Sequence, residues 1–397
     1  MKDLRGTPSA PTLPDRPPSV HDISIDAAQS HPLPALYPAA FDNFQQVVAV
    51  RPDDRVLLLI DRTMDPRVVS FLWEFARGRG ATVNAIMAER AGDAHFAESC
   101  KPMIEEATLV LTTWFTSSVH PYFLKLRSER GQRYVKLTYF RSLDLMKTEV
   151  ASFPLSVMSM LVRKTAHAFP SEGGATVHVT DPRGTDLTIT LKQEEIDSLM
   201  TQSRWRGEMT AERPGAYVHW VPSHGPNFWD FSASPGGFEG IEGVIAARDS
   251  VGFPRPFPDG VHIHMARNRV THVDGPANGQ THILRDMLIG GDLIEIGCGF
   301  NPKHPRNQIY PAGSNSAGAL HLGLNLPHNS DFLSGQMPDW PEPPEHLDMV
   351  LLDATVTING AAVVEDGVLC ATRDPDIRAE AARYGDAAYL LDVWPMV

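Results

Sequence analysis

Cysteine is scarce in this chain: only Cys100, Cys298 and Cys370 occur in 397 residues, far apart from one another. Such spacing excludes a disulfide framework and points to a reducing compartment. Basic blocks are missing too. Lys and Arg number 35 against 48 Asp and Glu, a formal charge of −13, which argues against nucleic acid and anionic membrane as partners. No apolar run approaches the roughly 20 residues that span a bilayer, and the polar start Met1-Lys2-Asp3-Leu4-Arg5 lacks the apolar centre of a signal peptide. No Gly-x-Gly-x-x-Gly follows the first apolar strand, so a dinucleotide is not expected. The expectation from these absences is a reduced, cytoplasmic protein.

What is present suffices for two domains with their own cores, since 42% of the residues are apolar. Residues 1–35 carry Pro8, Pro11, Pro14, Pro17 and Pro18, which forbid regular helix. They read as a tail or as an arm laid on a neighbouring subunit. Residues 36–170 alternate strand and helix. Strands are expected at 55–60, 82–87, 108–113 and 134–139, with helices at 66–80, 94–105, 120–131 and 142–166. That alternation predicts an α/β domain built on a doubly wound parallel sheet. From 171 to 397 the texture is strand and turn, predicting a β-rich α+β domain that holds a metal. It includes a hairpin at 176–191, a ribbon at 261–273 and a short helix at 280–288.

The chemistry concentrates between Asp292 and Gly367. His321 follows the small-residue run Ser316-Ala317-Gly318-Ala319, and His346-Leu347-Asp348 runs straight into Met349-Val350-Leu351-Leu352. At i and i+2 of an extended segment, His346 and Asp348 leave the same face. With His321 they form the two-imidazole, one-carboxylate set of a facial iron site, which leaves coordination positions open. An isolated His-x-Asp is usually a solvated pair, so context carries the case. Glu295 lies in the apolar strand Asp292-Leu293-Ile294-Glu295-Ile296, where a carboxylate is costly unless paired or metal-bound. The turn signal Asn359-Gly360 marks a hairpin just after the His346 strand, expected to stiffen it.

In order, Glu295-Ile-Gly-Cys-Gly-Phe-Asn-Pro302, Ala317-Gly-Ala-Leu-His-Leu-Gly-Leu324, His346-Leu-Asp348 and Thr357-Ile-Asn-Gly-Ala-Ala-Val-Val-Glu-Asp-Gly367 resemble the M29 (AmpS-type) metallopeptidase superfamily over residues 45–370. Within it, the chain looks most like the branch of 2,5-dihydroxypyridine 5,6-dioxygenases, which are extradiol-like enzymes. The resemblance implies Fe(II) as cofactor, held by His321, His346 and Asp348. It also implies a small hydroxylated N-heteroaromatic substrate that is cleaved with O2. A homo-oligomer is expected.

Residues elsewhere take roles from the same resemblance. His120, beyond the third strand and at a helix start, could by position alone either cap that helix or do chemistry. The branch carries an acid/base histidine at the matching place, and Val119 beside His120 joins the substrate contacts. In the polar aromatic stretch 204–230, His219 and His224 are either substrate-holding groups or loop histidines satisfied by backbone. The branch has a glutamate followed by two histidines, an order that Glu208, His219 and His224 follow, with the histidines one residue further apart than in the pattern.

The peptidase branch supplies a rival reading, in which a further glutamate, best matched by Glu242 with Glu239 competing, joins Glu295, His321, His346 and Asp348 around two ions. His262, His264 and His272 on the ribbon read as one solvated face.

Overall fold

A computed structural model describes residues 36–89, 98–114, 116–137, 140–220, 227–234, 237–250, 253, 257–304, 306, 316–327 and 346–393. The proline-rich segment 1–35 lies outside them.

A parallel sheet in the order β2-β1-β3-β4-β7 contains β1 (Arg55–Asp61), β2 (Thr82–Ala88), β3 (Leu109–Thr112), β4 (Arg133–Lys136) and β7 (Tyr217–His219). Every residue of β1 after Arg55 is buried, because helices cover the sheet and its strands are continuous apolar runs. The helices include α1 (Leu36–Val48), α2 (Pro66–Arg77), α3 (Lys101–Glu106), α4 (Thr116–Val119) and α5 (Pro121–Arg130). α2 shows why the sequence was readable here. Pro66 opens it, the Asp65 carboxylate accepts from the Arg67 N–H, and Val68, Leu72, Phe75 and Ala76 form its buried stripe.

The helix expected over 142–166 is instead three pieces. A 3₁₀ turn at Leu143–Lys147 precedes α6 (Glu149–Ser152) and α7 (Leu155–Ala166). Thr148 caps α6 through its hydroxyl, and Pro154 cannot continue it.

The chain crosses from one side of β1 to the other between β2 and β3, so the switch point of the sheet lies between the carboxyl ends of β1 and β3. A buried ion pair fills it. Arg141 donates to Asp61 at 2.7 Å, both side chains are 1% exposed, and the Thr113 hydroxyl donates to the same carboxylate at 2.6 Å. Burial alone would push the Asp61 carboxyl up. The Arg141 charge and the hydrogen bonds from Thr113, Thr63 and Arg141 outweigh it and hold the group below its ordinary value. A depressed carboxylate contributes stability above its unfolded pKa of about 3.9 and loses it as pH falls through the folded value. The urea midpoint is therefore expected to drop below about pH 4, and less steeply in Asp61→Asn. Asp61→Ala, which strands Arg141, should cost about 3–5 kcal/mol in denaturant unfolding.

An eight-stranded antiparallel sheet follows in the order β12-β11-β9-β6-β5-β16-β17-β18. Its strands are β5 (Ala175–Thr180), β6 (Asp186–Leu191), β9 (Ile241–Ile245), β11 (His262–Ala266), β12 (Arg269–Asp274), β16 (Thr355–Ile358), β17 (Ala361–Glu365) and β18 (Val368–Leu369). A second five-stranded sheet, in the order β10-β15-β14-β13-β8, contains β8 (Trp229–Asp230), β10 (Asp249–Ser250), β13 (Leu293–Cys298), β14 (Leu320–Asn325) and β15 (His346–Leu351). A parallel sheet with helices and two antiparallel sheets are thus both present.

β7 returns to the parallel sheet from beyond residue 171, and one apolar core runs from Phe44 and Val56 through Val177 and Ile241 to Leu322 and Met349. Asn359 and Gly360 do make a left-handed turn, with φ of 49° and 83°. Their hairpin, however, belongs to the eight-stranded sheet, and β15 is held by β14 and β10. None of Cys100, Cys298 and Cys370 is bridged.

Candidate metal centre

The three strands β13, β14 and β15 divide cleanly into two faces. Leu320, Leu322 and Leu324, Leu347, Met349 and Leu351, and Ile296 and Cys298 enter the core on one side. The register then fixes what stands on the other. Glu295 lies opposite Gly323, which lies opposite Asp348, and in the next row Gly297 lies opposite His321 and His321 opposite Val350. His346, two residues from Asp348, shares their face. Strand alternation therefore brings Glu295, His321, His346 and Asp348 onto one side of a rigid sheet.

Their polar atoms converge. His346 Nε2 is 3.5 Å from Asp348 Oδ1 and 3.8 Å from Glu295 Oε1, and His321 Nε2 is 3.8 Å from the same Glu295 oxygen. These separations exceed an ordinary N–H···O bond. They approach the roughly 3–3.5 Å between two ligands that each sit about 2.1 Å from one ion. Among the described residues, Glu295, His346 and Asp348 form a group whose ligand atoms all lie within 4.8 Å of one another. The anticipated set had His321 with this pair and Glu295 as an outer or second-ion residue, whereas the geometry brings Glu295 into the group itself.

Two glycines keep the space clear. A Cβ on Gly323 would sit 2.9 Å from Glu295 Cγ, 3.2 Å from Asp348 Oδ1 and 3.3 Å from His346 Cδ2. On Gly297 it would overlap the His321 imidazole, with Nδ1 at 2.8 Å and the far side of the ring closer still. The cradle is one that a methyl group would fill, and its donor chemistry, imidazole and carboxylate without thiolate, suits a divalent first-row metal. Burial pushes the Cys298 thiol up to about 12, so it stays protonated on the core side.

Neighbouring residues that sequence reading missed help to build the site. Asn227 donates to Glu295 Oε2 at 3.0 Å, which orients that carboxylate. Asp230 lies directly opposite Glu295 on β8, is 3% exposed, and is met by the Arg204 guanidinium and by Gln202. The available signal was a carboxylate inside Phe228-Trp229-Asp230-Phe231, an expensive place for a charge. Asp249 shares the face of Val350, and burial pushes its carboxyl up to about 6 against the charges of Arg248 and Arg183.

The remaining candidates are spread more widely. His120 is the N-cap of α5, its Nδ1 accepting from the Tyr122 N–H at 3.2 Å, so the capping role weighed for it is real. Val119 ends α4 immediately before it. Glu208 pairs with Arg206 at 2.9 Å and Arg213 at 2.7 Å. His219 ends β7 opposite Lys136, its ring 5.6 Å from Tyr217. Burial, aided by the charges of Lys136 and Arg204, pushes its pKa well below the usual imidazole value, so it is neutral. His224 lies outside the described residues. Glu242 lies in the eight-stranded sheet, where its carboxylate accepts from the Arg267 backbone N–H at 2.9 Å, and Glu239 pairs with the Arg267 side chain. Neither belongs to the Glu295 group.

No family model matches the chain, and no curated protein matches it. Solved structures do. A 2,5-dihydroxypyridine dioxygenase from Pseudomonas putida KT2440 aligns with a TM-score of 0.50 and 16% identity over 84% of this chain and 96% of that one. Wild-type AmpT from Thermus thermophilus aligns with a TM-score of 0.46 and 12% identity over 84% and 98%. The likeness is one of fold, and the chain shares its fold with the Pseudomonas putida enzyme.

Proposed function

We propose that this chain is a ferrous-iron-dependent dioxygenase that opens the ring of a small hydroxylated N-heteroaromatic, with 2,5-dihydroxypyridine as the first candidate. The observation that carries this reading is the convergence of Glu295, His346 and Asp348, with His321 beside Glu295, on one sheet face. Meanwhile the further glutamates of the two-ion reading lie outside the group and are engaged elsewhere, Glu242 by the Arg267 backbone and Glu239 by the Arg267 side chain. The shared fold with the Pseudomonas putida enzyme supports the same reading.

When bound, a ferrous ion supplies adjacent open positions and a redox route between ring and O2, so no organic cofactor is needed. The protein's share is orientation and proton transfer. Asn227 fixes Glu295, and β13 to β15 hold the remaining donors rigidly. His120 Nδ1 accepts from the Tyr122 N–H, so Nε2 is the nitrogen that exchanges a proton with the ring in this proposal. His219, kept neutral, suits hydrogen bonding to a ring oxygen. The partners proposed are the small aromatic substrate and O2, in the cytoplasm, with the chain acting as a homo-oligomer.

Glu295 within the group is the one observation that favours a two-ion amide or peptide hydrolase. Oxygen uptake by iron-loaded protein with 2,5-dihydroxypyridine, run beside peptide and amide hydrolysis, separates the two: substrate-dependent O2 consumption is expected, and hydrolysis without it would overturn the proposal. His120→Gln should lower kcat by about 10²–10⁴ while leaving metal content unchanged.

A further inference from the structure

The exposed face of the eight-stranded sheet carries a second cluster of imidazoles, on a different sheet from Glu295, His346 and Asp348. On the edge ribbon, His264 of β11 lies directly opposite His272 of β12, and His262 lies opposite Asp274. All four share one face of the ribbon. The left-handed turn at Arg267 and Asn268, with φ of 48° and 53°, pairs Ala266 with Arg269, and a register shift between His264 and Met265 then sets His264 opposite His272. A one-residue slip would turn the set inward.

The side chains are ordered around one carboxylate. His264 Nε2 is 2.8 Å from Asp274 Oδ2, and His272 Nε2 is 2.7 Å from Asp274 Oδ1. The two rings lie 5.8 Å apart, centre to centre, tilted by 40°. Two imidazoles sharing one tetrahedral ion, with metal–nitrogen bonds of about 2.0–2.1 Å, hold their ring centres roughly 5 Å apart. A small rotation about the side-chain bonds closes that difference, and the side chains, 36–56% exposed, are free to make it. His262 is turned toward Gly184 and is not counted.

The geometry points to a surface site for a divalent transition-metal ion, zinc, nickel or copper, with His264, His272 and Asp274 as ligands and at least one open position. Imidazole nitrogens select this class over magnesium or calcium. The two Nε2 atoms aim at the two oxygens of one carboxylate, and side-chain rotation brings the three ligands onto an ion that displaces the imidazole protons. The ion would clamp the edge strand β12 to β11.

This site bears on how a metal count is interpreted. A chain that binds two ions need not be a two-ion hydrolase, because one of them can reside on the ribbon.

The test is zinc(II) titration of the chelator-stripped full chain by calorimetry at pH 7.5, where imidazoles can shed their protons. Five proteins are compared: wild type, H264Q/H272Q, H346A, H264Q/H272Q/H346A and D274N. The ribbon substitutions are on an exposed face, and circular dichroism checks the fold of each. H264Q/H272Q should bind one equivalent fewer than wild type. H346A should keep the equivalent that the triple variant loses, and Asp274→Asn should weaken it by at least about tenfold. If H264Q/H272Q binds zinc with wild-type stoichiometry and affinity, or if H346A binds none, the ribbon site is wrong. Failure of the Glu295 group to bind would look different: a single wild-type equivalent, lost in H264Q/H272Q.

Discussion

Replacing His346 or Asp348 by alanine is expected to lower metal affinity at the Glu295 group by more than about 100-fold and to abolish turnover. Substitution of an outer-shell partner already costs about 10–100-fold, and these side chains belong to the converging group itself. The fold should survive. His346 is partly exposed at the start of β15, and the core side of that strand, Leu347, Met349 and Leu351, is untouched. Asp348 is nearly fully buried beside His346, so its removal also relieves an acidic cost and need not destabilise. Metal analysis of both variants, with thermal unfolding as the control, checks this. Full activity in either would remove the pair from the site.

The second large effect is expected from a single methyl group. Gly297→Ala puts a Cβ into the His321 imidazole across the ladder. Neither partner can retreat easily, because the backbones are paired and the ring is 5% exposed. Overpacking of this kind costs about 1–3 kcal/mol. More telling, His321 must leave its rotamer, so activity should fall far more than stability does. Gly323→Ala should behave similarly, since its Cβ would press on Glu295, Asp348 and His346 together. Gly279→Ala, where a Cβ meets nothing within 4 Å, is the control and should stay within about 0.5 kcal/mol of wild type. Comparing kcat/KM with urea midpoints across the three variants separates displacement of the site from general destabilisation.

Much of this was legible in the residues for physical reasons. Continuous apolar runs such as Val56-Leu57-Leu58-Leu59-Ile60 announce strands covered on both faces, and the i, i+2 spacing of His346 and Asp348 fixes a shared face once β15 is extended. What was less legible depends on pairing between distant segments. Nothing local says that Gly323 sits between Glu295 and Asp348, or that Asp230, on a strand of two residues, faces Glu295. β7 returns to the first sheet after a long excursion, so its membership is a matter of topology, not of periodicity. The turn signal at Asn359 marks a hairpin, yet the strand it packs beside is β5 and not β15, which carries His346 and Asp348. The ribbon histidines looked like a solvated face because spacing alone cannot reveal that two of them share one carboxylate.

The most direct test of the proposed chemistry is turnover of 2,5-dihydroxypyridine by iron-loaded protein under isotopically labelled dioxygen, with mass analysis of the ring-opened product. Both labelled atoms should appear in the product, and His346→Ala should yield none. A product that takes its new oxygen from water, or turnover that proceeds without dioxygen, would contradict the account and move the chain to hydrolysis.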